Sequence, residues 1–89
     1  MSNKIPEGLK EINLGMSNFD MSIDNGLEDA LKKGGVFARH SAWDFNAHIW
    51  WDGEMFCSEV WCYHSPVAWY KEKTLSELMN TNNNNHGYD

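Results

Sequence analysis

The chain is 89 residues long, which limits it to one domain, since domains usually run to about 100–150 residues and multidomain enzyme architectures need more. Apolar residues make up 42% and aromatic residues 13%, with five Trp, four Phe and three Tyr, too many for a disordered chain and too dispersed for a membrane span. Seven Lys plus Arg against thirteen Asp plus Glu leave a net charge of −6. That balance repels phosphate backbones, so neither direct nucleic-acid binding nor attachment to an anionic membrane is expected.

Residues 1–18 mix Lys, Glu, Asn, Ser and Gly with isolated apolar positions. They are expected to be poorly ordered, apart from a turn of helix after Pro6. The opening MSNKIPEGLKEINLG carries Lys4 but no continuous apolar stretch of signal-peptide length, so a cytoplasmic location is expected. From Asp24 the pattern sharpens. Asp24 or Asn25 is placed to cap free amides, Glu28 and Asp29 favour a helix start, and Lys32 and Lys33 favour its end. Leu27, Ala30 and Leu31 share one face, and Gly34 and Gly35 supply a positive-φ stop. A short amphipathic helix is expected over 25–33.

Val36 to His40 reads as a strand, and Trp43 to Trp51 alternates with a period of two. Asp52-Gly53 is a strong two-residue hairpin signal. That loop would place Trp51 opposite Glu54, Ile49 opposite Phe56, Ala47 opposite Ser58, Phe45 opposite Val60 and Trp43 opposite Cys62, a mostly apolar layer taken as the core. The other layer would pair Trp50 with Met55, His48 with Cys57, Asn46 with Glu59 and Asp44 with Trp61, with Tyr63 nearby. Ser65-Pro66 is expected to break the ladder before a further strand at Val67 to Lys71. Thr74-Leu75-Ser76-Glu77 has the form of a capping box opening a second helix with Leu75, Leu78 and Met79. The fold expected is α+β: a three- to four-stranded antiparallel sheet (a β-meander) with two short helices packed on one face. It would occupy 19–80 as a single domain, and 81–89, with its four consecutive Asn, would be a flexible tail.

Cys57 and Cys62 lie five positions apart in one strand, pointing to opposite faces and roughly 16 Å apart along it. They cannot bridge each other, and reduced thiols suit a cytoplasmic protein. The pairing of His48 with Cys57, near Glu59 and Asp44, offers a thiol beside an imidazole and a carboxylate. No oxyanion donor array accompanies it. Adding His40 and His64 does not produce a tetrahedral set, because the two thiolates diverge. No cofactor and no metal is therefore expected, and a Cys/His metal-binding protein or thiol enzyme is the least favoured reading.

What remains is the second layer itself. Trp50, Trp61 and Tyr63, with Trp69 and Tyr70 further along, are rigid apolar anchors, and Asp44, Asp52, Glu54 and Glu59 form a charged rim around them; His48 lies within the layer. The N-terminal segment or self-association as a homodimer would hide this layer equally well. An acidic, aromatic face of this kind fits docking on a basic surface, such as a groove built for nucleic acid.

Ala30-Leu31-Lys32-Lys33-Gly34, then Ala38-Arg39, then Trp43, resembles the opening of small phage proteins of the Thoeris anti-defence type. The likeness is confined to residues 30–43. It implies a sponge for a signalling nucleotide, with Lys33 and Arg39 on phosphate and Trp43 stacked on a base. More broadly the chain looks like the compact, acidic, aromatic-rich proteins of phages and prophages, among them anti-CRISPR inhibitors. The leading expectation is thus a non-enzymatic phage or mobile-element protein that inhibits a bacterial defence complex by stoichiometric docking. Its expected partner is a host defence protein or ribonucleoprotein with a basic surface, met by Asp44, His48, Trp50, Asp52, Glu54, Glu59, Trp61 and Tyr63.

Overall fold

The computed structural model describes residues 5–15, 26–42 and 45–86. Among these residues the fold is α+β: one five-stranded sheet in the order β1-β2-β3-β4-β5, with two helices. The strands are β1 (Lys10–Gly15), β2 (Val36–Ala42), β3 (Phe45–Trp51), β4 (Phe56–Cys62) and β5 (Ser65–Glu72). The helices are α1 (Leu27–Lys33) and α2 (Leu75–His86). Four strands form the antiparallel meander expected, and β1 adds a parallel edge beside β2. Part of the segment read as poorly ordered is therefore a strand. Parallel neighbours cannot be joined by a tight turn, and the chain from β1 to β2 carries α1 between them.

Period-two alternation sorts the side chains into two layers. Ala38, Ala47, Ile49, Phe56 and Val60 pack with Leu27 and Leu31 of α1 and with Leu75 and Leu78 of α2. Both helices thus lie on the face expected to be the core. α1 ends as foreseen: Gly34 at φ 84° and Gly35 at φ 80° leave the helix, and the Gly34 amide donates to the Leu31 carbonyl at 3.0 Å. Its start differs. Gly26 at φ 93° occupies the N-cap without a side-chain hydrogen bond, and the proposed caps Asp24 and Asn25 lie outside the described residues.

The β3–β4 register differs from expectation by two residues. Trp51 faces Phe56, Ile49 faces Ser58, Ala47 faces Val60 and Phe45 faces Cys62, so the connection is four residues long, Asp52 to Met55. Asp52 is the cause. Its Oδ1 accepts the amides of Glu54 at 2.8 Å and Met55 at 2.7 Å, an Asx turn that holds a longer loop than Asp-Gly alone would make. A slip of two keeps every side chain on its own face, where a slip of one would have inverted the sheet. On the other layer Trp50 faces Cys57, His48 faces Glu59 and Asn46 faces Trp61. The expected pairs at Trp43 and Asp44 lie outside the described residues.

These amides, Met55 first, hold the Asp52 carboxyl at about 2, below its ordinary 3.8, with help from the Lys71 ammonium at 3.2 Å. A depressed carboxyl stabilises the fold above its unfolded pKa, and that contribution fades as pH falls through the folded one. Asp52→Ala is expected to cost about 1 kcal/mol at neutral pH, the usual worth of a capping side chain in a screened, exposed turn. The gap from wild type in urea midpoint should close as pH drops from 3.8 toward 2; a gap that stays constant would show that the carboxylate form is not what caps the turn.

Ser65-Pro66 does not break the ladder. Cys62 faces Ser65 and Trp61 faces Pro66, so the chain reverses through Tyr63 and His64, with Tyr63 in the left-handed region at φ 56°. Pro66 is tolerated because β5 is an edge strand, where a missing amide need not leave a ladder bond unmade. Val67 is an extra residue between the Trp61 and Val60 pairings, a bulge on the free edge. Thr74 caps the second helix as expected: the Glu77 amide donates to Thr74 Oγ1 at 3.1 Å, and the Thr74 hydroxyl donates to Glu77 Oε1 at 3.1 Å. The helix it opens then runs through Thr81 to His86, where a flexible tail was expected.

Candidate functional site

The layer opposite the core has neither described helix packed on it. Its central row crosses the whole sheet: Asn13, Arg39, His48, Glu59 and Trp69 are successive register partners from β1 to β5. Trp50, Cys57 and Lys71 form a neighbouring row, and Asn46, Trp61 and Pro66 another. Strand pairing alone sets this grid.

At its centre is Glu59, only 5% exposed. Trp61, two residues along the same strand, donates its indole N–H to Glu59 Oε1 at 2.6 Å, and Trp69 donates to Oε2 at 2.9 Å. One carboxylate therefore fixes the orientation of two indoles, each through a charge-assisted bond. His48 sits across the ladder with Nδ1 3.9 Å from Glu59 Oε1, too far for a hydrogen bond. That nitrogen is buried and has no hydrogen-bond partner. The His48 ring meets Phe37 edge-on at 5.5 Å and Trp61 at 6.0 Å. Burial holds its pKa below the ordinary 6.5; Glu59 pulls upward and Arg39 pushes further down.

The residues assigned to docking do not form one patch. Trp50, expected as an exposed anchor, is 2% exposed, and Glu59, expected on the rim, is buried beneath its two indoles. Asp52 and Glu54 lie in the β3–β4 loop, while Tyr63 lies in the turn at the other end of β4. His48 and Trp61 do share the Glu59 cluster. Asp44 lies outside the described residues. Among the described residues the large apolar side chains that are exposed are Tyr63 at 69%, Val67 at 48% and Trp69 at 37%, all on β5 or the turn leading into it. Trp69 gained prominence only with the register, because it faces Glu59 once the turn at Tyr63-His64 is known. Tyr70 points the other way, packed against the core.

The residues of the other two readings stand in a different arrangement from the one expected. His48 faces Glu59 and not Cys57, whose thiol is pushed up to about 12 by burial and by Asp52; a thiol so seldom ionised at neutral pH is a poor nucleophile. Among the described residues no group of three or more His, Cys, Asp or Glu is placed to hold a metal ion. For a nucleotide, Lys33 ends a helix on the core side of the sheet, while Arg39 lies on the opposite layer 3.8 Å from Glu11. The two cations are not brought together, and Trp43 lies outside the described residues. No described helix is long and apolar enough to cross a membrane. No protein-family model, curated protein or solved structure matches the chain.

Proposed function

We propose that the chain is a non-enzymatic inhibitor of phage or mobile-element type that docks stoichiometrically on a basic surface of a bacterial defence complex, a CRISPR effector being the leading candidate. The observation that supports this reading is the gathering of Tyr63, Val67 and Trp69 along the free edge of the sheet, with the Trp69 ring held in place from below by Glu59. Pre-set aromatic side chains lose little entropy on binding, which is what makes an indole an energetic anchor. The net charge of −6 favours a cationic partner and faster encounter with it. Docking thus moves from the middle of the second layer, where Trp50 is buried, to its β5 border.

A panel of purified RNA-guided effectors tests this directly. Target cleavage by at least one of them is expected to stop at equimolar inhibitor, with affinity falling as salt rises. Trp69→Ala is expected to weaken inhibition by about tenfold or more, the usual loss for an interface hot spot. Full-rate cleavage by every effector, with none binding the chain, would overturn the proposal. A stable dimer that Val67→Asp dissociates would assign the edge to self-association instead.

A further inference from the structure

The unpaired nitrogen of His48 is not used by a docking surface at β5. Native folds rarely leave a buried polar atom without a partner, and each exception calls for an explanation. Glu59 Oε1 lies 3.9 Å away and already takes the Trp61 indole N–H at 2.6 Å. We propose that His48 is a proton-operated latch: when Nδ1 carries a proton in the imidazolium form, it closes on Glu59 Oε1 and weakens the bond that the Trp61 indole makes to that oxygen, while Trp69 stays on Oε2.

The distances support this order of events. Nδ1 must approach by about 1 Å to reach charge-assisted bonding range, through a turn of the ring or of the carboxylate. Trp61 approaches the same oxygen, so that movement disturbs its bond first. Trp69 uses the other oxygen and is spared. Proton gain on Nδ1 turns an imidazole into a cation beside a carboxylate, and charge attraction closes the gap that the neutral ring leaves open.

The charges facing His48 set where the latch operates. Arg39 on β2 opposes protonation, and Glu59 on β4 favours it. Glu11 on β1 favours it too, and its 3.8 Å pairing with Arg39 blunts both. Cys57 and Lys71 occupy the adjoining row on β4 and β5, and α1 and α2 pack on the far face. Burial is the largest influence and keeps the ring neutral at pH 7, so the latch closes on acidification below 6.5.

The test is an NMR titration of the full, isotopically labelled chain from about pH 7.5 to about pH 4.5, following the His48 ring and the indole N–H signals of Trp61 and Trp69. The Trp61 signal is expected to move upfield, toward that of an indole without a strong acceptor, with the same midpoint as His48. Trp69 is expected to move less. In His48→Gln the Trp61 signal should stay flat, whereas His64→Gln should leave the transition intact. Three results would overturn the latch: a Trp61 signal indifferent to His48 titration, a His48 ring that does not titrate in this range, or a general loss of dispersed signals that His48→Gln shares. None of these readouts depends on a docking partner, so the latch and the inhibitor reading stand or fall separately.

Discussion

Phe56→Ala is expected to remove about 3–5 kcal/mol of folding stability, the range found when a fully buried aromatic side chain is cut back to a methyl group. Phe56 is wholly buried and lies where three parts of the fold meet. It is the first residue of β4, faces Trp51 across the ladder and Glu72 on β5, and its ring lies 4.7 Å from that of Trp51. The Lys32 ammonium of α1 sits 5.8 Å from the Phe56 ring and 5.3 Å from that of Trp51, a cation–π contact that carries the helix end onto the sheet. Chains of this length are stable by about 5–13 kcal/mol in total. The substitution therefore takes a large share of the margin. Urea unfolding followed by far-ultraviolet circular dichroism is expected to show a much lower midpoint with the slope against denaturant unchanged, since the surface exposed on unfolding barely alters. A loss under about 1 kcal/mol would mean that the cavity collapses and that the ring is not central to the core.

Core residues such as Phe56 were readable because alternation is a parity property. Ile49, Ala47, Phe56 and Val60 fall on the packed face whichever even offset the hairpin takes, so the layer assignment survived a wrong loop length. What failed was the offset, and for a local reason. Asp52-Gly53 has the composition of a two-residue turn, but the Asp52 carboxylate also reaches two amides further on, and nothing in the order of residues distinguishes the two outcomes. The loss fell on the functional face, where pairings matter individually: Glu59 was placed opposite Asn46 when it faces His48. The Tyr63-His64 reversal was hidden similarly, by a proline that reads as a stop and is harmless on an edge strand. With it went the position of Trp69, and so the clamp on two indoles.

β1 was illegible for a different reason. Ile12 and Leu14 are its only large apolar residues, and both are half-buried, because an edge strand shares its cover with one neighbour. A parallel pairing also leaves no turn signal nearby, since its partner strand begins at Val36, beyond α1. Composition could set an expectation against nucleic acid and anionic membranes, but it could not distinguish an exposed Trp from a buried one. Trp50 and Trp69 are alike in sequence terms and opposite in exposure.

Deleting residues 81–89 is the second change with a large expected effect, because the polar run after Asn80 is structural. Asn82 continues the stripe begun by Leu75 and Leu78, at the helical spacing that keeps one face toward the sheet, and it is buried. Its Oδ1 accepts the Ser58 hydroxyl at 3.1 Å, so a polar pair closes the core at a residue expected to lie in a tail. One residue earlier, Thr81 donates its hydroxyl to Glu72 Oε2 at 2.7 Å, tying α2 to β5. Removal takes the acceptor from the Ser58 hydroxyl, a net loss of about 0.5–1.5 kcal/mol where water replaces it, and exposes the core under the lost turns. The total expected loss is about 2–4 kcal/mol. Asn82→Ala separates the two contributions: it keeps the helix and its cover and is expected to cost about 1–3 kcal/mol through the unpaired hydroxyl. The double change Ser58→Ala with Asn82→Ala removes both partners, and it is expected to regain part of that loss if the hydrogen bond is what Asn82 supplies. A truncated chain that unfolds at the wild-type urea midpoint would show that α2 contributes nothing beyond Asn80, and would return the Asn run to the role of a tail.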